Sequence, residues 1–228
     1  LHFDSSILNE PRTLQVSLPD SYSQSDQHYP VLYLLDGERH FQHGVLAASL
    51  LANQGLIPEL IVVGIPSSEA VRARDLATDK QHFIRFLQEE VFAIVDARYR
   101  ANGQRTVYGH SLAARFSMQL MAEHPTLFSR VIAASPPLQR IDQSLLEALQ
   151  QRYREGADYY NRVYFTLAHP DSEGAEVASA FTHFTRGLTA HPPEQLTWEY
   201  QRHDDQTHIS NYYPSLFYGL MKVYQQQP

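Results

Sequence analysis

A chain of 228 residues can bury one sizeable core and is most economically a single domain, residues 1–228. Its 43% hydrophobic and 19% charged content is that of a globular protein, and a net charge of −7 argues against a general nucleic-acid surface. The absence of cysteine excludes disulfides, thiol catalysis and cysteine-ligated zinc. No stretch reaches the ~20 apolar residues of a membrane-spanning helix, so a soluble chain of cytoplasm or periplasm is expected.

In chain order, residues 13–18 alternate in the manner of a strand and stop at the turn signal Pro19-Asp20. A polar loop at 21–27 leads into 29–35, a nearly continuous apolar run that predicts a strand covered on both faces. Residues 60–65 predict a second such strand, with a helix over 43–53 between them. From 79 to 99, Phe83, Phe86, Leu87, Val91, Ile94 and Val95 recur at helical spacing. A short strand at 105–108 and a helix ending near Pro125 follow. Further strands are predicted at 130–134, 162–168 and 196–201, and helices at 142–155, 174–188 and 212–224. Alternation of this kind predicts an α/β fold, a mostly parallel sheet with helices on both faces and ligands bound beyond the strand ends.

The strand at 105–108 meets the next helix at Gly109-His110-Ser111-Leu112-Ala113. A serine on a sharp strand-to-helix turn, with small residues two positions to either side, has the pattern of a nucleophile elbow. Bulk at those flanking positions would collide with the neighbouring turn, and Gly109 and Ala113 avoid it. A plain helix cap is the alternative role for Ser111. A serine hydroxyl needs a base, and histidine titrates near the working pH. In the chain order of such sites, nucleophile then acid then histidine, the base follows the penultimate strands. His208, in the loop before the last helix, is the candidate, with His203 its competitor. The acid is expected after the strand at 162–168, in Ala168-His169-Pro170-Asp171-Ser172-Glu173-Gly174. Asp171 is the choice and Glu173 the runner-up, although Asp171 could equally cap the following helix. Oxyanion donors are expected from the backbone N–H of Leu112 and, in the loop Asp36-Gly37-Glu38, from that of Glu38, with Gly37 permitting the twist.

Several segments together resemble the esterase D branch of the α/β-hydrolases, the enterochelin-esterase and IroE-like serine hydrolases. They are Tyr29-Pro-Val-Leu-Tyr-Leu-Leu-Asp-Gly-Glu38, Val62-Val-Gly-Ile65, Arg72-Ala-Arg-Asp75 and Phe83-Ile-Arg-Phe-Leu-Gln-Glu-Glu90, followed by Tyr99-Arg-Ala-Asn-Gly103, Gly109-His-Ser-Leu112 and Thr207-His208. The resemblance implies an α/β-hydrolase fold and a Ser-His centre at Ser111 and His208, with donors from the 36–38 loop and Leu112. Two departures stand out: Ala113-Ala114 where the family usually has Gly-Gly, and a short connection over 74–81.

The function expected is a serine carboxylic-ester hydrolase working through an acyl-enzyme on a small-molecule ester, with no cofactor. A broad esterase is preferred to a siderophore trilactone esterase. An anionic siderophore would call for arginines, for which Arg39, Arg72, Arg74 and Arg115 are the candidates. His40 and His43 lie on one helical face, but no metalloprotease-like pattern accompanies them, and no metal is expected. A non-catalytic binding protein of the same fold, and an acyltransferase using the same serine, are the alternatives.

Overall fold

The computed structural model describes residues 1–140, 142–154, 159–192 and 194–225, which fall into two compact units. The first comprises 1–107 with the extreme C-terminus from Tyr224, the second 108–223. A seven-stranded, mostly parallel sheet runs through the chain.

In the first unit, β1 (His2–Ser5) and β2 (Glu10–Thr13) form an antiparallel hairpin of their own. The strand expected at 13–18 is therefore cut in two. Thr13 ends β2, buried Leu14 turns the corner, and β3 (Gln15–Ser17) joins the main sheet. β4 (Tyr29–Leu35) is buried at all seven positions, as its unbroken apolar run requires, and pairs parallel with β5 (Ile61–Ile65). β3 pairs antiparallel with the other side of β5.

Helix α1 (Gly37–Asn53) begins six residues before the expected position 43. Its buried stripe, Gly37, His40, Gly44, Ala47, Ala48 and Leu51, starts with residues that do not read as apolar. The positive φ in this turn lies at Asp36 (φ 53°), not at Gly37. Gly37 is required for close approach instead, because a Cβ there would lie 2.7 Å from the backbone nitrogen of Ile65.

The helical segment expected at 79–99 also starts early. α2 (Glu69–Ala73), α3 (Lys80–Arg85) and α4 (Phe92–Arg98) are joined by π-type turns at Arg74–Thr78 and Phe86–Val91. The short 74–81 connection of the sequence is thus largely wound into helix. The long strand β6 (Ala101–His110) passes from the first unit into the second. Within the first unit the strand order is β3-β5-β4-β6.

In the second unit, β6 leads into α5 (Leu112–Glu123), eight of whose twelve residues are buried. β7 (Arg130–Ala134), β8 (Asn161–Ala168) and β9 (Leu196–His203) follow in parallel register, in the order β6-β7-β8-β9. Helices α6 (Asp142–Arg154), α8 (Ala175–Ala190) and α9 (Tyr212–Tyr224) match expectation closely, Glu155 lying outside the described residues. The short α7 (Pro170–Glu173) occupies what reads in sequence as a loop. Register aligns Ala134 with Thr166 and Ala168 with His203. The turns after β7, β8 and β9 therefore leave the sheet along one edge, beside the turn after β6.

Candidate active site

Ser111 sits between β6 and α5 with φ 57° and ψ −120°, a backbone conformation that an L-residue adopts only under constraint. The constraint is visible at both flanks. A Cβ on Gly109 would lie 2.4 Å from the Ala113 carbonyl oxygen, and the Ala113 side chain is fully buried. The Ser111 N–H donates to the Ala134 carbonyl (2.8 Å), and the Arg115 N–H donates to the Ser111 carbonyl (3.0 Å), closing the first helical turn. No side-chain cap hydrogen bond is made by Ser111, so its hydroxyl does not serve the helix.

That hydroxyl faces His208, whose Nε2 lies 3.0 Å from Ser111 Oγ. The other imidazole nitrogen, Nδ1, lies 2.8 Å from Glu173 Oε2. Because a carboxylate only accepts, Nδ1 carries the proton and Nε2 presents its lone pair to the serine. The His208 backbone is gripped on both sides: its N–H donates to Ser172 Oγ (2.8 Å), and its carbonyl accepts from His110 Nε2 (2.7 Å). The His110 and His208 rings pack with centroids 5.0 Å apart. His203, the competing histidine, ends β9 as a buried residue and points Nδ1 at Asn211 Oδ1 (2.7 Å).

The carboxylate beside His208 belongs to Glu173, which corrects the expectation of Asp171. Pro170 starts a helical turn, and residues two apart on such a turn point about 200° apart. The Asp171 side chain is 94% exposed, whereas that of Glu173 is 1% exposed. Glu173 Oε1 accepts from the Ala168 N–H (2.9 Å) and from Ser135 Oγ (2.5 Å), leaving Oε2 for His208. Burial pushes the Glu173 carboxyl up, but hydrogen bonds from His208, Ser135 and Ala168 outweigh it and hold it below the ordinary value. Ser135 and Asn211, whose Nδ2 lies 2.7 Å from Ser135 Oγ, carry no signal of such a place in the sequence. Nothing in a lone Ser-Pro-Pro or in a Ser-Asn pair distinguishes them from ordinary turn residues.

Leu112 opens α5, where backbone N–H groups are unpaired within the helix. The remaining expected site residues belong to the first unit, apart from Arg115. Glu38 lies in the first turn of α1, and its carboxylate accepts from the Ser67 N–H (2.8 Å). Asp36, at the left-handed position before it, takes a two-pronged hydrogen bond from Arg72 (2.7 Å each). Arg39 is largely exposed, with Glu38 at 3.7 Å. Arg74 is occupied by Glu10 (2.7 and 3.0 Å) and Asp75 (2.8 Å). Arg115 lies on the first turn of α5. Among the described residues, no group of three or more His, Asp or Glu converges as a metal site would.

A serine on a strained elbow, hydrogen-bonded to an imidazole that is hydrogen-bonded to a buried carboxylate, is the arrangement of a serine hydrolase on an α/β-hydrolase sheet. The Putative esterase family model matches residues 5–210, and the chain belongs to that family. Among its relatives is the Bacillus subtilis protein YjcH, 29% identical over 158 residues, 65% of this chain and 64% of that protein. Ferri-bacillibactin esterase BesA of the same organism is 28% identical over 160 residues, 57% of this chain and 55% of that one. These matches span between about half and two thirds of the curated relatives' length. The crystal structure of an IroE-like serine hydrolase from Shewanella oneidensis superposes with a TM-score of 0.88 at 25% identity. It covers 98% of this chain and 79% of that one.

Proposed function

We propose that this chain is a carboxylic-ester hydrolase that works through an acyl-enzyme on Ser111. One observation carries the reading: His208 stands 3.0 Å from Ser111 Oγ and 2.8 Å from Glu173. In the first step Ser111 Oγ attacks the ester carbonyl while its proton passes to His208 Nε2. The imidazolium formed is stabilised by Glu173. The carbonyl oxygen, now an oxyanion, is met by the Leu112 N–H at the head of α5, where the helix dipole also favours negative charge. Collapse of this intermediate breaks the bond to the alkoxy oxygen, which leaves as the alcohol with the proton from His208. Water then attacks the acyl-enzyme, giving its proton to His208, and the acid departs as Ser111 recovers its hydrogen.

The kinship with a ferri-bacillibactin esterase and an IroE-like hydrolase supports a second reading within the same chemistry, a siderophore-type lactone as substrate. Arg74 does not add to that reading, because its guanidinium is already held by Glu10 and Asp75. A panel of p-nitrophenyl esters of increasing chain length, run beside a catecholate trilactone, separates the broad esterase from the lactonase.

The reaction itself is tested by labelling with a fluorophosphonate and by Ser111→Ala. The label should attach to Ser111, and the variant should lose about 10⁴-fold or more in kcat with its fold retained. Full turnover in Ser111→Ala would refute the proposal. Absence of an adduct on folded wild type would favour a non-catalytic binding protein, and product analysis with competing alcohols identifies acyl transfer.

A further inference from the structure

Behind Glu173 lies a second set of polar side chains, all of it in the same unit and outside the serine–histidine–carboxylate row. Ser135, Asn211, Thr166 and Ser215 are completely buried, and His203 is 6% exposed. Asn211 Nδ2 lies 2.7 Å from Ser135 Oγ and 3.0 Å from Thr166 Oγ1, and Asn211 Oδ1 lies 2.7 Å from His203 Nδ1. Thr166 Oγ1 meets Ser215 Oγ at 2.6 Å, and Ser215 Oγ in turn donates to the Asn211 carbonyl at 2.5 Å.

The direction of every proton in this set follows from its end point. An ionised Glu173 can only accept, so Ser135 must donate to it. With its single hydrogen committed, Ser135 must accept from Asn211, which turns the amide nitrogen toward it. The amide oxygen then faces His203, and His203 must carry its proton on Nδ1. The second amide hydrogen goes to Thr166, Thr166 donates its own to Ser215, and Ser215 donates to the Asn211 carbonyl. This assignment leaves His203 Nε2 as a bare nitrogen, buried and without a protein donor among the described residues.

Backbone strain points the same way. Ser135 has φ 51°, one of four non-glycine residues among those described with positive φ, and Ser111 is another. Glycine would satisfy that conformation more cheaply. A serine held there is held for its hydroxyl.

We propose that Ser135, Asn211 and His203 are positioning residues, a one-way run of hydrogen bonds that locks Glu173 Oε1 so that Oε2 stays aimed at His208. The proposal rests on the reading of Ser111, His208 and Glu173 as the reacting row. Ser135 and the Ala168 N–H grip one carboxylate oxygen, which prevents the group from rotating away from the imidazole as that ring takes and returns the serine proton.

Three measurements test it. Nitrogen-15 NMR of wild type, at a pH where imidazoles are neutral, should find His203 protonated on Nδ1; an Nε2–H tautomer overturns the relay without any variant having to fold. Ser135→Gly relieves the backbone strain while deleting the hydroxyl. Its kcat on a p-nitrophenyl ester should fall on the order of 10- to 100-fold in a variant that circular dichroism shows to be folded at the assay temperature. KM should stay within about twofold. A wild-type kcat in that variant overturns the role of Ser135. Finally, His203→Asn keeps a donor near the Nδ1 position and should retain most activity that His203→Leu loses. Equal kcat in those two overturns the role of His203. Ser111→Ala is measured alongside: if it is dead while Ser135→Gly is unimpaired, the relay alone fails, whereas an active Ser111→Ala removes the underlying reading.

Discussion

In the first unit the buried arginines and aspartates answer one another directly; in the second a set of neutral buried side chains gathers beside one carboxylate. Arg12 meets Asp75 at 2.5 Å with both side chains nearly inaccessible, Arg74 bridges Glu10 and Asp75, and Arg72 clamps Asp36 behind the left-handed turn into α1. Each of these guanidiniums has its countercharge within its own unit, which makes the cluster a fastening rather than a receptor for anions. In the second unit, Ser135, Thr166, Asn211 and Ser215 carry no charge; Asn211 donates to Ser135 and Ser135 to Glu173, while Thr166 and Ser215 hold Asn211 in place. A lone buried carboxylate with an imidazole beside it is poised to stabilise a transient positive charge. Fixed ion pairs hold a backbone; a carboxylate supported by neutral donors and an imidazole is free to answer a charge that comes and goes.

That contrast fails first if substitutions in the second unit leave turnover intact. Glu173→Gln should cut kcat about 10³- to 10⁴-fold, since the amide can no longer stabilise the imidazolium, while Asp171→Asn should keep a near-wild-type rate. The reverse ranking in steady-state assays would return the acid to Asp171. In the first unit the response should appear in stability instead. Asp75→Asn removes one of the two carboxylates at buried Arg12, Glu10 remaining at 2.5 Å, and should lower the unfolding free energy by about 1–2 kcal/mol in urea titrations. Activity per folded molecule should not change.

The third prediction concerns acid. Glu173 titrates below its ordinary value of 4.5, so the stability it contributes is fully present above that pH and is lost as pH falls through the lower, folded-state value. Wild-type urea midpoints should therefore decline below pH of about 4.5, and Glu173→Gln should show a shallower decline. An identical slope in the two proteins would mean that the carboxylate gains nothing from its partners. The smallest effect is expected at Arg39, whose side chain is 61% exposed and 3.7 Å from Glu38. Arg39→Ala should leave Tm unchanged within error, because an exposed pair at that distance is screened by water.

Some of this architecture is legible in the chain itself. The buried strands 29–35 and 130–134 announce themselves because a strand covered on both faces must be apolar at every position. The elbow is equally plain, since its steric demand falls on Gly109 and Ala113, two positions from Ser111. His208 follows from chain order together with the loop it occupies. The start of α1 was obscured because His40, Gly44 and Gly37 are buried without being hydrophobic, and the β1-β2 hairpin because its pairing depends on Leu14 turning between two sheets.

Glu173 against Asp171 shows where reading the chain stops. Both are acids in the same short segment, and local propensity does not rank them. The choice is made by the turn at Pro170, by the Ala168 N–H, and by a hydroxyl contributed 38 residues earlier from Ser135. Side-chain type, spacing and steric tolerance are local properties, so the sequence by itself determined the strands of the sheet and the sharp turn at Ser111. Which carboxylate turns inward, and which serine and asparagine hold it there, depends on hydrogen bonds between segments far apart in the chain, and only the assembled tertiary structure decided that.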